Sequence, residues 1–210
     1  MNLSEALADA RCTFPNFPDE VFTLWLEDRV KQSGWPPEGI EWQGFLFGQS
    51  PEYWKSLQWS KLTLTVSPEL MASKSFSLAM HIIEAGKGTK NILSAYIPNT
   101  ADRFKSALSF VTENATTPGT PLLLLAQDGI EVIDGNHRIA ALLAVQSHMP
   151  IGTPDLPFTA WLAKPSGCVA SDANPSLKRS ANGMSRWPSS AGPTAHFALA
   201  AQRAMPSSPA

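Results

Sequence analysis

The segment at 121–145, PLLLLAQDGIEVIDGNHRIAALLAV, constrains the fold more than any other part of the sequence. Its two apolar runs flank Asp128-Gly129, a dipeptide that favours positive φ in a two-residue turn between antiparallel strands. The second run passes through DGNHR directly into an apolar stretch with helical spacing. The sequence therefore predicts a β-hairpin whose second strand leads at once into a helix.

The flanking segments complete one domain. KLTLTVS (61–67) alternates apolar and polar residues, as does a strand with one buried face. FSLAMHIIEAGKG (76–88) and NTADRFKSALSFVTENA (99–115) are typical of helices, and PFTAWLA (157–163) is typical of a final strand. The order of strand, helices, hairpin, helix and strand predicts an α+β fold, with a small mixed β-sheet covered by helices.

Residues 1–60 form a different region, rich in tryptophan. PDEVFTLWLEDRVKQSGW (18–35) and SPEYWKSLQW (50–59) predict helices, the second with Ser50 as N-cap and Pro51 in the first turn. Arginine and lysine do not interleave with the tryptophans, so stacking on nucleic-acid bases is not favoured. The sequence predicts a helical extension that packs on the core. Its tryptophans are Trp25, Trp35, Trp42, Trp54 and Trp59.

The segment at 165–210 is rich in serine, proline and alanine, with one acidic and four basic residues. Such a composition buries too little apolar surface to offset the entropy of ordering, so a disordered tail is predicted. A weakly basic interaction tail is the alternative. The predicted organisation is an extension at 1–60, a domain at 61–164 and a tail at 165–210.

Charge and cysteine content limit the class of protein. The net charge of −2 gives no global positive field, so nucleic-acid binding would need a local basic patch. Cys12 and Cys168 show neither metal-ligand spacing nor a disulfide framework, which suits a reducing compartment. No apolar run approaches the roughly 20 residues of a membrane span, and the N-terminus does not resemble a secretory signal. A cytoplasmic protein without membrane contact is predicted.

The stretch DGNHR has the parts of an anion site. Gly135 allows a sharp turn, and the first N–H groups of the following helix have no helical acceptor. His137 and Arg138 add donors, although cations there cost about 0.3–1 kcal/mol against the helix dipole. A negative group should offset them, either Asp134 or a bound phosphate. In the ligand-free alternative, Arg138 pairs with Asp134 and His137 bonds to a local carbonyl.

The segment at 104–145 resembles the core of the ParB/sulfiredoxin-like superfamily. In that family a helix leads to a strand, a turn and a second strand, which ends in a D-G-x-H-R or G-x-x-R loop before an alanine-rich helix. LTVSPEL (64–70) is similar to the family's first strand and its following loop. The resemblance implies that ATP or CTP, with Mg²⁺, binds through its phosphates. The positions that match the phosphate-binding loop are Gly135, Asn136, His137 and Arg138.

Activities in the superfamily diverge, and the sequence argues against two of them. Sulfiredoxins carry a cysteine at the position of Asn136, so repair of sulfinic acids is not expected. Partitioning ParB proteins carry further DNA-binding and dimerising segments, whereas only the polar segment at 165–210 follows here. What remains is hydrolysis of a nucleoside triphosphate or transfer of its phosphate. An acid must then act as base or metal ligand.

The resemblance implies Glu69 as the catalytic acid, because kinase-like members place one after the first strand. Asp134 is the second candidate, and His137 would join both clamp and catalysis. For Glu69, a carboxylate that only caps a helix N-terminus is the favoured alternative. The residues do not identify a complete metal-ligand set.

Two other functions stay open. A non-catalytic interaction module would keep the fold and bind a protein partner through its tryptophan-rich region at 1–60. A ParB-like nuclease or DNA-associated protein draws on the superfamily alone and does not suit the net charge of −2. A pocket that joins the DGNHR loop to Glu69 would favour the nucleotide enzyme.

Overall fold

The computed structural model describes residues 2–38, 45–89, 93, 97 and 99–165, all of them within one unit, Met1–Ser166. Except for Pro165, the predicted tail lies outside the described residues, as does Trp42.

Among the described residues, three helices are defined before the sheet. Helix α1 spans Leu3–Thr13, and helix α2 consists of three consecutive segments, Asp19–Val21, a wider π-helical Phe22–Leu26, and Glu27–Ser33. Helix α3 spans Pro51–Lys55.

The helix predicted at 18–35 is confirmed as α2. The helix predicted at 50–59 is confirmed only over Pro51–Lys55, because Leu57 to Trp59 pair with β4 as the start of strand β1. Helix α2 ends at Gly34, which has φ of 80° and can adopt it without steric cost. The Ser50 side chain accepts a hydrogen bond from the Tyr53 amide, and Pro51 opens helix α3.

The remaining elements follow the predicted order. They are β1 (Leu57–Leu64), a 3₁₀ turn (Pro68–Leu70), α4 (Ser73–Gly86), α5 (Thr100–Asn114), β2 (Leu122–Ala126), β3 (Gly129–Asp134), α6 (Asn136–Ser147) and β4 (Phe158–Pro165). Strand β1 begins upstream of the predicted start at Lys61, and β4 extends to Pro165.

The strands form one mixed sheet in the order β1-β4-β2-β3. Strand β4 pairs antiparallel with β1 and parallel with β2, and β2 pairs antiparallel with β3. The α+β class and the mixed sheet covered by helices are therefore confirmed.

The hairpin between β2 and β3 differs from the prediction. Ala126 pairs with Gly129, so the two turn residues are Gln127 and Asp128 rather than Asp128 and Gly129. Gly129 does have positive φ, 133°, but it is the first residue of β3. Glycine at this position allows the backbone of Ala72 to pack closely against β3, because a Cβ atom on residue 129 would lie 2.7 Å from the backbone nitrogen of Ala72.

Apolar side chains pack on both faces of the sheet. The first core lies between the sheet and helices α4, α5 and α6, and the second core lies between the sheet and the N-terminal helices. Strand β2 shows the alternation directly, because Leu123 belongs to the first core while Leu122 and Leu124 belong to the second. A strand buried on both faces explains the continuous apolar run PLLLLA.

The second core contains most of the tryptophans. Trp25, Trp35 and Trp54 are buried, with 3%, 6% and 0% of their surface exposed, and Trp59 packs against the cluster while partly exposed. The three buried rings therefore hold the N-terminal helices against the sheet and are not available to a partner at the surface.

None of the helices in the described part of the chain is both long and apolar enough to span a bilayer. Cys12 is an exposed free thiol, and Cys168 lies outside the described residues.

Candidate functional site

The loop from β3 to α6 turns on Gly135. This residue is buried, has φ of 91° and occupies the N-cap position of α6 without a side chain to cap it. A Cβ atom at this position would lie 3.1 Å from Cβ of Pro121, tighter than most such contacts. The backbone therefore leaves the strand in a conformation that favours glycine, as the sequence predicts. The N–H groups of Asn136 and His137 follow in the first turn, where helices have no internal acceptor.

A β-bulge sets the direction of the Asp134 side chain. Leu123 pairs with Val132, but Leu122 pairs with Asp134, so Ile133 is an extra residue in β3. Paired residues share a face of a sheet, and Leu122 belongs to the second core. The bulge thus places Asp134 on the face of the N-terminal helices, whereas regular alternation from Val132 would place it on the other.

Asp134 and Arg138 form the ion pair of the ligand-free alternative, but the contact is long. Nη2 of Arg138 lies 3.5 Å from Oδ2 of Asp134, and both side chains are partly exposed, at 28% and 36%. Good hydrogen bonds between these groups measure about 2.7–2.9 Å. The pair is therefore loose enough for Arg138 to exchange Asp134 for another anion.

His137 is the unusual member of the loop. Its ring is partly exposed, but its Nε2 atom is buried and has no hydrogen-bond partner among the described residues. Burial, together with the positive charges of Arg103 and Arg138, lowers the pKa of His137 to about 4. The imidazole is thus neutral at neutral pH. A polar atom buried without a partner costs about 1–3 kcal/mol, which a ligand atom at this position would recover.

Sequence reasoning missed Arg103, on the first turns of helix α5. This exposed residue acts on His137 electrostatically, so α5 brings a second guanidinium to the loop. The sequence carried one signal, because Arg103, like Arg138, is a cation near the N-terminus of a helix, where it opposes the helix dipole. Arg103 and Arg138 thus bring two positive charges to the surroundings of His137.

Glu69 is not brought to the loop. It is exposed on the 3₁₀ turn, just before Met71, which bridges to Ile130 near the start of β3. The chain then runs alongside β3 towards its end, because Ala72 donates to Ile130 and Ser75 accepts from Val132. Asp134, at the end of β3, lies four residues beyond Ile130, a distance of about 13 Å along the strand. Of the predicted acids, only Asp134 adjoins His137 and Arg138.

The described residues offer few ligands for a metal ion. No group of three or more histidine, cysteine or acidic side chains converges within the ranges that the structure describes. Mg²⁺, however, is usually held by one or two carboxylates together with substrate phosphates and water. Asp134 beside a phosphate site fits that limited requirement.

Protein-family models, curated proteins and solved structures were compared with this chain, and none of them matches it. The likeness to the ParB/sulfiredoxin-like superfamily therefore depends on the chain's own residues. The nucleotide, the metal ion and the activity that this likeness implies stay predictions.

We expect His137 to titrate near pH 4 in the folded protein, against about 6.5 for a histidine in an unfolded chain. NMR titration of the imidazole carbon-bound protons measures it, with the urea-unfolded chain as reference. Since the folded pKa is lowered, the unfolded state binds more protons between these values. Stability should therefore fall as the pH drops from about 6.5 to about 4, and no further from this group below that.

The partly exposed ring limits this stability change to about 1–2 kcal/mol. Because other groups titrate in the same range, the difference between the wild type and His137→Gln isolates the histidine. A folded pKa of His137 near 6.5, or equal pH profiles for the two proteins, would contradict the expectation.

Proposed function

We propose that this chain is a nucleotide-binding protein with a ParB/sulfiredoxin-like domain, whose loop at 134–138 binds the phosphates of ATP or CTP together with Mg²⁺. The observation that carries the proposal is the buried, unpartnered Nε2 of His137 in the first turn of α6, beside Arg103 and Arg138. Neutral histidine can donate from this atom in one tautomer, and a phosphate oxygen is a suitable acceptor.

The local backbone supports a phosphate rather than a neutral ligand. The first amides of α6 lie at the positive end of the helix dipole, next to a glycine that lets a ligand approach closely. Arg103 and Arg138 supply two positive charges, and charge-assisted bonds from guanidinium to phosphate are among the strongest hydrogen bonds in proteins. A phosphate would offset the repulsion among these groups and satisfy Nε2 of His137.

Turnover of the bound nucleotide would depend on Asp134. Phosphoryl transfer needs clamped phosphates and an oriented nucleophile, and Mg²⁺, when bound, neutralises charge on the phosphate oxygens. Asp134 is the acid in the loop that could hold the ion or accept a proton, whereas Glu69 lies towards the other end of β3. The interaction-module and DNA-associated alternatives stay predictions.

We expect Arg138→Ala to weaken nucleotide binding at least tenfold, because a charge-assisted hydrogen bond contributes about 1.5–3 kcal/mol. Arg103→Ala should weaken it by a smaller factor, since Arg103 is exposed. Calorimetric titration with ATP, CTP and GTP in the presence of Mg²⁺ measures the affinities. Phosphate release, measured in the same samples, tests turnover.

Lys105→Ala is the matched control, because Lys105 is exposed on the same helix α5 as Arg103, two residues further along. It removes one positive charge outside the proposed site. Binding of none of the three nucleotides to the wild type, or equal affinities of wild type and Arg138→Ala, would refute the proposal.

A further inference from the structure

The two edges of the sheet differ in their protection. Along β3, at one edge, the chain before and within helix α4 covers the strand. Ala72 donates to the Ile130 carbonyl, and the Val132 amide donates to Ser75. The bulge at Ile133 also interrupts this edge, and bulges and covering segments both hinder pairing with another chain. Strand β1, at the other edge, pairs with β4 in unbroken register and contains no proline.

The outer edge of β1 presents unpaired backbone groups. Trp161 of β4 lies opposite Lys61 and donates its amide to the Pro121 carbonyl, on the side of β2. Residues directly opposite each other in an antiparallel ladder exchange both hydrogen bonds or neither. The amide and carbonyl of Lys61 therefore point away from β4, and by alternation so do those of Trp59 and Thr63. Within the described ranges nothing hydrogen-bonds to these backbone groups.

The charge that would protect this edge is balanced within the chain. A lysine on an edge strand discourages pairing with another strand, and Lys61 is the one charged residue of β1. Its Nζ atom lies 2.6 Å from Oε2 of Glu20, so its charge is already paired. Asn16 occupies only the start of the edge, where its side chain donates to the Leu57 carbonyl. The backbone beyond Leu57 is left open to a further strand.

Each face of β1 is covered over one half of the strand only. On the face of the N-terminal helices, Leu57 is buried and Trp59 packs against the second core, whereas Lys61 and Thr63 are exposed. The first half of the strand is therefore covered on this face, and the second half is open.

On the other face the covered half is the second one. Leu62 and Leu64 pack against the first core, whereas Gln58 and Ser60 are exposed. A second copy of β1, related by a two-fold axis, would run antiparallel to the first. On both faces the covered half of one strand would then lie beside the open half of the other. The edge is thus complementary to itself.

We propose that two copies of this chain form a symmetric dimer through β1, with Ser60 opposite Ser60 of the second copy, so that the two sheets become one. This register pairs the outward backbone groups of Trp59 with those of Lys61 of the second copy, and places an ammonium beside an indole. A register centred on Lys61 would set two lysines opposite each other, which is unfavourable. One centred on Leu62 would bring two covered positions together. The dimer does not depend on the proposed phosphate site, which follows β3 at the opposite edge.

The test measures self-association of the full chain by analytical ultracentrifugation over a range of concentrations. We expect the wild type to form dimers. Ser60→Glu and Ser60→Lys should each weaken the dimer about fivefold, because like charges then face each other across the axis. An equal mixture of the two variants should restore association at least to the wild-type level. Gln58→Glu is the matched control, since Gln58 is exposed on the same face but lies opposite Leu62 of the second copy. It should change the dissociation constant less than about twofold.

Amide hydrogen exchange followed by NMR reports the edge itself. The amides of Trp59 and Lys61 should become protected as the concentration rises, whereas those of Ser60 and Leu62, which point towards β4, should be protected throughout. Circular dichroism verifies that the variants are folded. A wild type that stays monomeric up to about 1 mM would overturn the proposal. So would a dimer that Ser60→Glu does not weaken, or a mixture of the two Ser60 variants that associates no better than either alone.

Discussion

Gly129→Ala is expected to destabilise the protein by about 3 kcal/mol, although the change adds one methyl group to a strand. The added Cβ would lie 2.7 Å from the Ala72 nitrogen and 2.8 Å from both the Leu70 oxygen and the Met71 carbonyl carbon. These are backbone atoms that cannot move independently. Relief would require the chain at 70–72 to leave the edge of β3, with loss of the hydrogen bond from Ala72 to Ile130. Urea unfolding followed by circular dichroism measures the change.

Gly152→Ala is the control, because it measures the energetic cost of the backbone conformation without that of a close contact. Gly152 also has positive φ, 94°, but nothing lies within 4 Å of a Cβ there, so only the conformational cost of about 1 kcal/mol applies. The loss of stability in Gly129→Ala beyond that in Gly152→Ala then measures how tightly the chain before helix α4 packs on β3. Equal losses at the two glycines would contradict the close approach and would leave the position of Glu69 relative to the loop unsupported.

Local signals predicted most of the elements, for a physical reason. Ser50 and Pro51 begin helix α3, and Gly34 ends helix α2, through bonds and dihedral angles within one or two turns. The run at 121–126 and the DGNHR turn likewise predicted a hairpin that leads into a helix. Such features need no knowledge of the rest of the fold, so one sequence suffices to predict them.

Long-range features were predicted poorly or not at all. Gly129 was assigned to the hairpin turn because Asp-Gly is a turn signal, but its positive φ serves a contact with Ala72, which the local sequence does not reveal. The bulge at Ile133 depends on the pairing of β2 with β3. Neither this bulge nor the π-helical segment of α2 was predicted from the sequence.

The candidate site likewise contains residues that are neighbours in sequence and residues that only the packing of the chain could bring to it. Asp134, Gly135, His137 and Arg138 are neighbours in sequence, and a loop between strand and helix keeps them together. Glu69 was assigned to the site by resemblance, and the course of the chain along β3 places it away from them. Arg103 was missed because the packing of α5 brings it to the loop. Its own segment looks like an ordinary exposed helix face.

Trp54→Ala should cost about 4 kcal/mol, since replacing a buried tryptophan by alanine removes apolar contact and leaves a cavity. Trp54 has no exposed surface, its ring centre lies 4.6 Å from that of Trp25, and its indole N–H donates to the Leu46 carbonyl at 3.0 Å. Trp54→Phe keeps a ring and should cost less, mainly the hydrogen bond and part of the volume. Trp59→Ala, at a partly exposed position of the same core, is the milder control.

The mode of unfolding matters as much as the size of the loss. Leu122 and Leu124 of the central strand β2 belong to the same core as Trp54, so loosening this core should weaken the whole sheet. We therefore expect one transition, with tryptophan fluorescence and circular dichroism falling together at a lower urea concentration. Two separated transitions would mean that the region at 1–60 unfolds alone.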